Sequence, residues 1–336
     1  MKNLYFLFAF CLSFISCSTS DSPADPVLPG VEVEDSYQYI ILRHDGQLFE
    51  VGDNTGVIKK INKIPDVDMI SVGNAITWSP DKVYFYEHKF PPQQPLIYEY
   101  TLSTKQTKSH VIEFPESDFG PFAGLVSMEW DAGKKALLAF TKENFGEDRP
   151  APSKLAKIDP ETFLVSSLDI EVSQRNVMGT LIKGNMIYAS TYRSHSSGYE
   201  SDFLRIDLQS GLVTSLDIDG MTIAPIHLSH NPNKNTLFGF LPVPGASYMG
   251  ASKPVEFDPS TGVVKQLLPN EVTGNLNQFG RSFFNTGSKE HVVLIASPTY
   301  LALFRYNSDT QKVTLTKLPH PNDLGTANAI VGAVKL

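Results

Sequence analysis

Apolar residues along this chain come in short runs of strand length, broken by turns rich in Gly, Pro, Asn and Asp, and one pairing of run and turn recurs. Six segments place an apolar strand, a turn of the form Asp/Asn-x-x-Thr/Ser-Gly and a second strand in that order: LFEVGDNTGVIKKI, IYEYTLSTKQTKSHVI, LAKIDPETFLVSSLDI, FLRIDLQSGLVTSLDI, PVEFDPSTGVVKQLLP and LFRYNSDTQKVTLTKL. The turn hydroxyl is Thr55, Thr104, Thr162, Ser210, Thr261 and Thr310. The first turn position is Gly52, Thr101, Asp159, Asp207, Asp258 and Asn307, mostly side chains that accept backbone N–H groups and close an Asx-type turn.

Successive turn hydroxyls are 49, 58, 48, 51 and 49 residues apart, a mean of 51, so a body running from Ser36 to Leu336 holds six units and not seven. A second pair of apolar stretches precedes the hairpin, as in NAITWSPDKVYFYEH and LVSMEWDAGKKALLAF, which gives each unit four strands. The expected fold is therefore all-β: a six-bladed β-propeller with four antiparallel strands per blade. The first unit is one strand short. Its missing strand is expected from 327–334 at the C-terminus, as the innermost strand of the N-terminal blade, closing the ring.

Blade parity then predicts where ligands bind. If strands A to D run outward from the axis, A–B and C–D turns share one face, while B–C and D–A connections share the other. Tight turns such as Ser79-Pro80-Asp81 fall on the first face. The second receives the long segments from His88 to Pro95, Pro115 to Gly124, Lys142 to Ser153, Thr191 to Ser201, Pro242 to Lys253 and Pro269 to Gln278. Long connections in a compact repeat array point to recognition at that face. Its aromatic residues include Phe119, Phe122, Tyr192, Tyr199 and Tyr248, with Arg193 among the charges. Inner strands offer Asn74, Ser127, Glu129, Arg175, Asn176, His227, Gln278, Arg281 and Asn328 to the axial channel. The expected binding set is Asn74, Arg175, His227, Gln278, Arg281, Tyr192, Arg193 and Tyr248, a polar and aromatic mixture suited to a glycan, a peptide or a protein segment.

Composition narrows the function classes. The chain has 336 residues, 41% hydrophobic and 19% charged, which supports a sizeable core and argues against disorder. A net charge of −8 lacks the basic footprint of a nucleic-acid binder, so no nucleic-acid partner is expected. Met1-Lys2-Asn3 precedes an apolar run from Leu4 to Ile15, too short for a membrane span and suited to an export signal. Both cysteines, Cys11 and Cys17, lie in this leader, so neither a body disulfide nor a Cys-ligated zinc site is expected. G-x-S-x-G, H-E-x-x-H, P-loop and dinucleotide fingerprints do not occur. His227 and His230 point to opposite faces on a regular strand, and Asp217-x-Asp219-Gly220 lacks the later acid of a calcium loop.

The leader resembles that of a bacterial lipoprotein. That resemblance implies a signal peptide over 1–16, acylation of Cys17, a flexible tether over 17–35 and a propeller domain over 36–336, held at the outer membrane through the lipid alone. With its D-P-x-T-G turns the chain is similar to the six- and seven-bladed propeller lipoproteins of Bacteroidota envelopes, whose branches include quinoprotein-like and lactonase-like proteins. Two expectations follow. The first is a non-catalytic recognition propeller without a cofactor, binding a glycan, a peptide or an envelope protein. The alternative, implied by the lactonase-like branch, is a metal-dependent hydrolase or lyase with a divalent cation such as calcium held in the channel by Glu129, Asn176 and His227. The first is favoured because no Asp occupies a predicted inner strand near the channel mouth.

Overall fold

A computed structural model of the chain describes residues 33–67, 74–89, 93–143, 152–172, 176–195, 198–243, 251–269, 281–296, 300–319, 324 and 328–336, with backbone alone at 193–195, 198–199 and 296. The proposed leader, Cys17 and most of the tether lie outside these residues. The compact unit Glu34–Leu336 is an all-β ring of six four-stranded antiparallel sheets, a six-bladed β-propeller.

Blade one joins the two ends of the chain. β24 (Asn328–Lys335) is innermost, followed outward by β1 (Tyr37–Arg43), β2 (Gln47–Gly52) and β3 (Ile58–Lys63). The expected closing strand therefore forms, one residue along from its predicted limits. It pairs antiparallel with β1 from Tyr37↔Lys335 to Arg43↔Asn328, with a bulge between Ile40 and Ile41. The remaining blades are consecutive. Blade two runs from β4 (Ile76–Trp78) through β5 (Lys82–Glu87) and β6 (Leu96–Thr101) to β7 (Gln106–Val111). Blade three opens with β8 (Gly124–Asp131) and β9 (Ala136–Lys142), then β10 (Ser153–Ile158) and β11 (Val165–Val172). Blade four holds β12 (Asn176–Lys183), β13 (Met186–His195), β14 (Gly198–Asp207) and β15 (Val213–Leu216). Blade five holds β16 (Ile226–His230), β17 (Leu237–Pro242), β18 (Ser252–Phe257) and β19 (Val264–Gln266). Blade six comprises β20 (Phe283–Asn285), β21 (Glu290–Ala296), β22 (Leu301–Asn307) and β23 (Lys312–Lys317).

The burial pattern explains why the middle strands read as unbroken apolar runs. Both faces of each blade meet a neighbour, so alternate residues enter different cores. On β1, Ile40 and Leu42 pack with Phe85 and Tyr98 of blade two, whereas Tyr39 and Ile41 pack with Val292 and Leu303 of blade six. Outer strands have only an inner edge to protect, and β3 (IKKINK) and β7 (QTKSHV) are correspondingly polar.

Two features differ from the sequence reading. The segment from Thr191 to Ser201, expected as a loop, is largely paired strand: β13 and β14 continue past the blade to His195↔Gly198 and form a hairpin arm. Its alternating polar sequence tolerates solvent on both sides while the backbone hydrogen bonds pair within the arm. Second, β16 carries a register shift between Ile226 and Ser229, with His227 at φ 53°, so strict alternation fails across His227 and His230.

The repeated turns are capped as their sequence demands. Asp159 Oδ1 accepts the N–H groups of Glu161 at 2.9 Å and Thr162 at 2.8 Å, and Asp207 and Asn307 cap their turns similarly. Gly52 and Thr101 cannot act this way, and remote carboxylates replace them. Asp35 accepts the N–H groups of Asn54 and Thr55, each at 2.8 Å, and a Cβ on Gly52 would lie 2.1 Å from Asp35 Oδ2. Asp81, from the A–B turn of the same blade, accepts Ser103 N–H at 3.1 Å and its hydroxyl at 2.9 Å. Asp35 therefore fills the space of the missing side chain. Asp35→Ala is expected to lower unfolding stability by about 1 kcal/mol, and to cost far less in a Gly52→Asp background, where the turn regains its own acceptor. Urea unfolding of the four proteins of this cycle checks it; equal losses in both backgrounds would contradict the substitution of one carboxylate for the other.

Candidate functional site

The six inner strands surround an axis that is bridged by one side chain. Arg281, immediately before β20, is buried with 7% exposure. Its guanidinium donates through Nη1 to the carbonyls of Ile76 and, at 2.9 Å, Met128. Through Nη2 it donates to Glu129 Oε1 and, at 3.1 Å, to the Thr180 carbonyl. One residue of blade six thus grips blades two, three and four across the ring. Four of its five N–H donors are occupied by protein acceptors, and its carbon atom Cζ lies 5.6 Å from the Trp78 ring centroid.

Glu129 completes the bridge. Its Oε1 also accepts the Thr180 hydroxyl at 2.7 Å. Burial raises its pKa from the ordinary carboxylate value, opposed by the Arg281 guanidinium and the Thr180 hydroxyl. Thr77 reinforces the contact between blades two and three by accepting the Trp130 N–H at 2.7 Å, and the Asn74 carbonyl accepts the Met128 N–H at 2.9 Å. A cation held by this Glu129 carboxylate would stand against the guanidinium already bound to it.

The other expected site residues fall into three groups. Asn74 and Asn176 are partly exposed, and a Cβ on Gly179 would lie 3.9 Å from Asn74 Oδ1, which places the amide of blade two beside the inner strand of blade four. Tyr192, also partly exposed, pairs with Ser201 at the base of the hairpin arm. His227 and Arg281 are buried, the former edge-on to Phe240 with ring centroids 5.9 Å apart. Arg175, Gln278, Tyr248 and the Arg193 side chain lie outside the described residues. Among the described residues, no three His, Cys, Asp or Glu side chains converge as a metal site.

The connection between blades two and three separates packing from presentation. α1 (Glu116–Phe119), a single turn, inserts Phe119 against Ala123 and Ala156, leaving that ring 2% exposed. Phe122, three residues on, has φ 54° and is 64% exposed. A left-handed backbone at an aromatic residue costs about 1 kcal/mol or more, and the solvent-facing ring gains no packing in exchange. Strain combined with exposure sets Phe122 apart from the packed Phe119 on the same connection.

Sequence reasoning missed a buried polar cluster between blades five and six. The Ser229 hydroxyl meets Ser282 Oγ and His291 Nδ1, each at 2.8 Å. Burial, with His230 and Lys234 nearby, lowers the His291 pKa to about 3, and Ser229 is 4% exposed. The pair has the residue types of a nucleophile and a base, but both side chains are enclosed between the blades, with His291 2% exposed. It is a satisfied polar contact between blades. Its signal in the sequence is slight, because polar side chains 53 and 62 positions apart converge only when blades five and six pack together.

No family model matches the chain, and no curated protein matches it. Among solved structures it is similar to TolB from Acinetobacter baumannii, with a TM-score of 0.57 and 15% identity over 87% of this chain and 65% of that one. A structure assigned as TolB in Agrobacterium tumefaciens gives 0.50 and 10% over 84% and 89%. A chain of a nidogen/laminin complex gives 0.50 and 12% over 88% and 97%. The class is therefore a β-propeller with TolB-like structural neighbours, and at these identities the likeness is one of fold. The chain spans 65% of the length of the Acinetobacter TolB that it matches.

The Arg281–Glu129 bridge makes a quantitative demand. Arg281→Met is expected to destabilise the protein by about 3–5 kcal/mol, since it strands a buried carboxylate. Adding Glu129→Gln should recover part of that loss but not all, because the carbonyls of Ile76, Met128 and Thr180 stay deprived of a donor. Chemical unfolding of the two single variants and the double variant measures the coupling; strictly additive losses would contradict the pairing.

Proposed function

We propose that this protein is a non-catalytic recognition propeller of the cell envelope, binding a glycan or an extended peptide on the face built from its B–C and D–A connections. The observation that carries this reading is Phe122: an aromatic ring 64% exposed on a left-handed backbone, on the face that also bears the hairpin arm. Tyr192 supplies a second aromatic residue. Asn74 and Asn176 offer neutral amides that hydrogen-bond to hydroxyls or to a peptide backbone. Tyr192 pairs across the strands with Asn176, and an aromatic ring together with a neutral amide suits the C–H faces and hydroxyls of a sugar.

Electrostatics favours this reading over metal-assisted hydrolysis. The carboxylate that a channel cation would need already serves Arg281 and Thr180. A cation bound there would share that carboxylate with the buried guanidinium, a like-charge approach that is costly in a low-dielectric interior.

Phe122→Ala and Tyr192→Ala are each expected to weaken binding about tenfold or more. Phe122→Ala should leave thermal stability within a degree or two, since its ring packs little. Calorimetric titration of wild type and both variants against a panel of neutral envelope oligosaccharides and peptides reads the effect. Undiminished affinity in both variants would remove this face as the binding surface.

A further inference from the structure

We infer that the opposite face, built from the A–B and C–D turns, is a docking surface for a zwitterionic lipid bilayer, so that the propeller lies turn-side down with its loop-rich face outward. This rests on the envelope reading above. The first observation is the distribution of exposed aliphatic side chains. Within Glu34–Leu336, nine large hydrophobic residues among those described are exposed. Six of them sit on the turn face.

Four of the six share one structural position, the residue directly after the C–D turn: Val57 (58% exposed), Leu164 (72%), Leu212 (63%) and Val263 (59%). They belong to blades one, three, four and five, so they form an interrupted rim around the face. Val334 and Leu336 add two more at the end of the closing strand. One exposed leucine needs no explanation. The same solvent-facing position filled by Val or Leu in four repeats, where the turn itself requires nothing apolar, does need one.

Chain entry provides the second observation. Glu34 and Asp35 are bound to the C–D turn of blade one, the Glu34 carbonyl accepting Asn54 Nδ2 at 2.9 Å and Asp35 capping Thr55. Glu34, where the compact unit begins, therefore lies on the turn face. A lipid on Cys17, 17 positions earlier, would bring that face to the bilayer. A third observation is an open cleft of about 490 Å³ on the same face between blades one and two. Ile40, Ile61, Leu102 and Val334 line it, with the opposite charges of Glu50 and Lys105 at its edge.

Charge selects the kind of lipid. The C–D turns beside the aliphatic rim carry Asp159, Asp207 and Asp258, whose capping hydrogen bonds lower their pKa values, and the A–B turns of the same face carry Lys134, Lys135, Lys183, Lys234 and Lys289, so neither sign prevails. A face of mixed sign gains little from a bilayer of either net charge, whereas a zwitterionic surface matches it and admits the aliphatic side chains.

The test uses the exported chain from Ser18, which contains the whole compact unit, tethered by an N-terminal hexahistidine to phosphatidylcholine vesicles doped with a nickel-chelating lipid. The tether replaces the Cys17 lipid, so the outcome does not depend on acylation. The body has no cysteine, so Leu212→Cys, Val263→Cys and Val111→Cys each take a single polarity-sensitive dye. Dyes at 212 and 263 should shift to the blue, brighten about twofold or more and be quenched by lipid-borne nitroxide, while the dye at 111, at the far end of β7, stays water-like. Leu164→Ser should reduce the signal at 212. Water-like emission at both turn-face positions, or equal shifts at all three, would overturn the inference. So would a concentration-dependent shift without vesicles, which would assign the face to a second copy of the chain. Ligand titration on the same vesicles reads the loop-rich face separately, so either reading can fail without the other.

Discussion

Each of the six sheets presents both of its faces to neighbours, so the apolar interior of this protein comes into being only with the closed ring. No blade has a core of its own: Tyr39 and Ile40, adjacent on one strand, are buried in different clusters shared with different blades. Closure depends on β24, whose Ile330 and Val331 enter the cores on either side of blade one. Arg281 then ties three blades to a fourth through the axis, where apolar packing is thinnest and main-chain carbonyls would otherwise lack donors. The bridge also engages one oxygen of the Glu129 carboxylate, so the contact that holds the ring uses an acidic residue of the axis.

With the axis closed by protein contacts, the two faces become separate surfaces with distinct chemistry. One has tight, capped turns and a rim of aliphatic side chains. The other has an arm, an exposed strained aromatic and neutral amides. The blade turns alone would have made both faces alike. The asymmetry comes from the lengths of the B–C and D–A connections and from the identity of the residue after each C–D turn.

Much of this architecture is legible in the sequence. The six turn hydroxyls set the blade count, and the missing strand of the first unit identifies the C-terminal segment as its complement, because both are local, periodic features. Contacts across the ring are not legible in this way. Arg281 and Glu129 both qualify as channel residues from strand position, but their pairing joins residues 152 positions apart and depends on the ring diameter. Gly52 and Thr101 did carry a readable signal, since a turn without its own acceptor needs one from elsewhere, and Asp35 and Asp81 supply it. The hairpin arm was hidden because its polar residues resemble those of a loop, and pairing within the arm satisfies the backbone without an apolar face. Phe119 and Phe122 look alike in the sequence, yet the first is packed and the second exposed, a distinction that depends on one helical turn.

An ion pair between Arg281 and Glu129 bridges the axis, and the proposed function rests on that pair taking the place of a channel cation. Elemental analysis of the chain from Ser18 purified without chelator, beside its Glu129→Gln variant, tests it directly. The account predicts no stoichiometric divalent metal in either protein. Calcium, manganese or zinc near one equivalent in the wild type and lost from the variant would contradict it, and would make the channel a metal site.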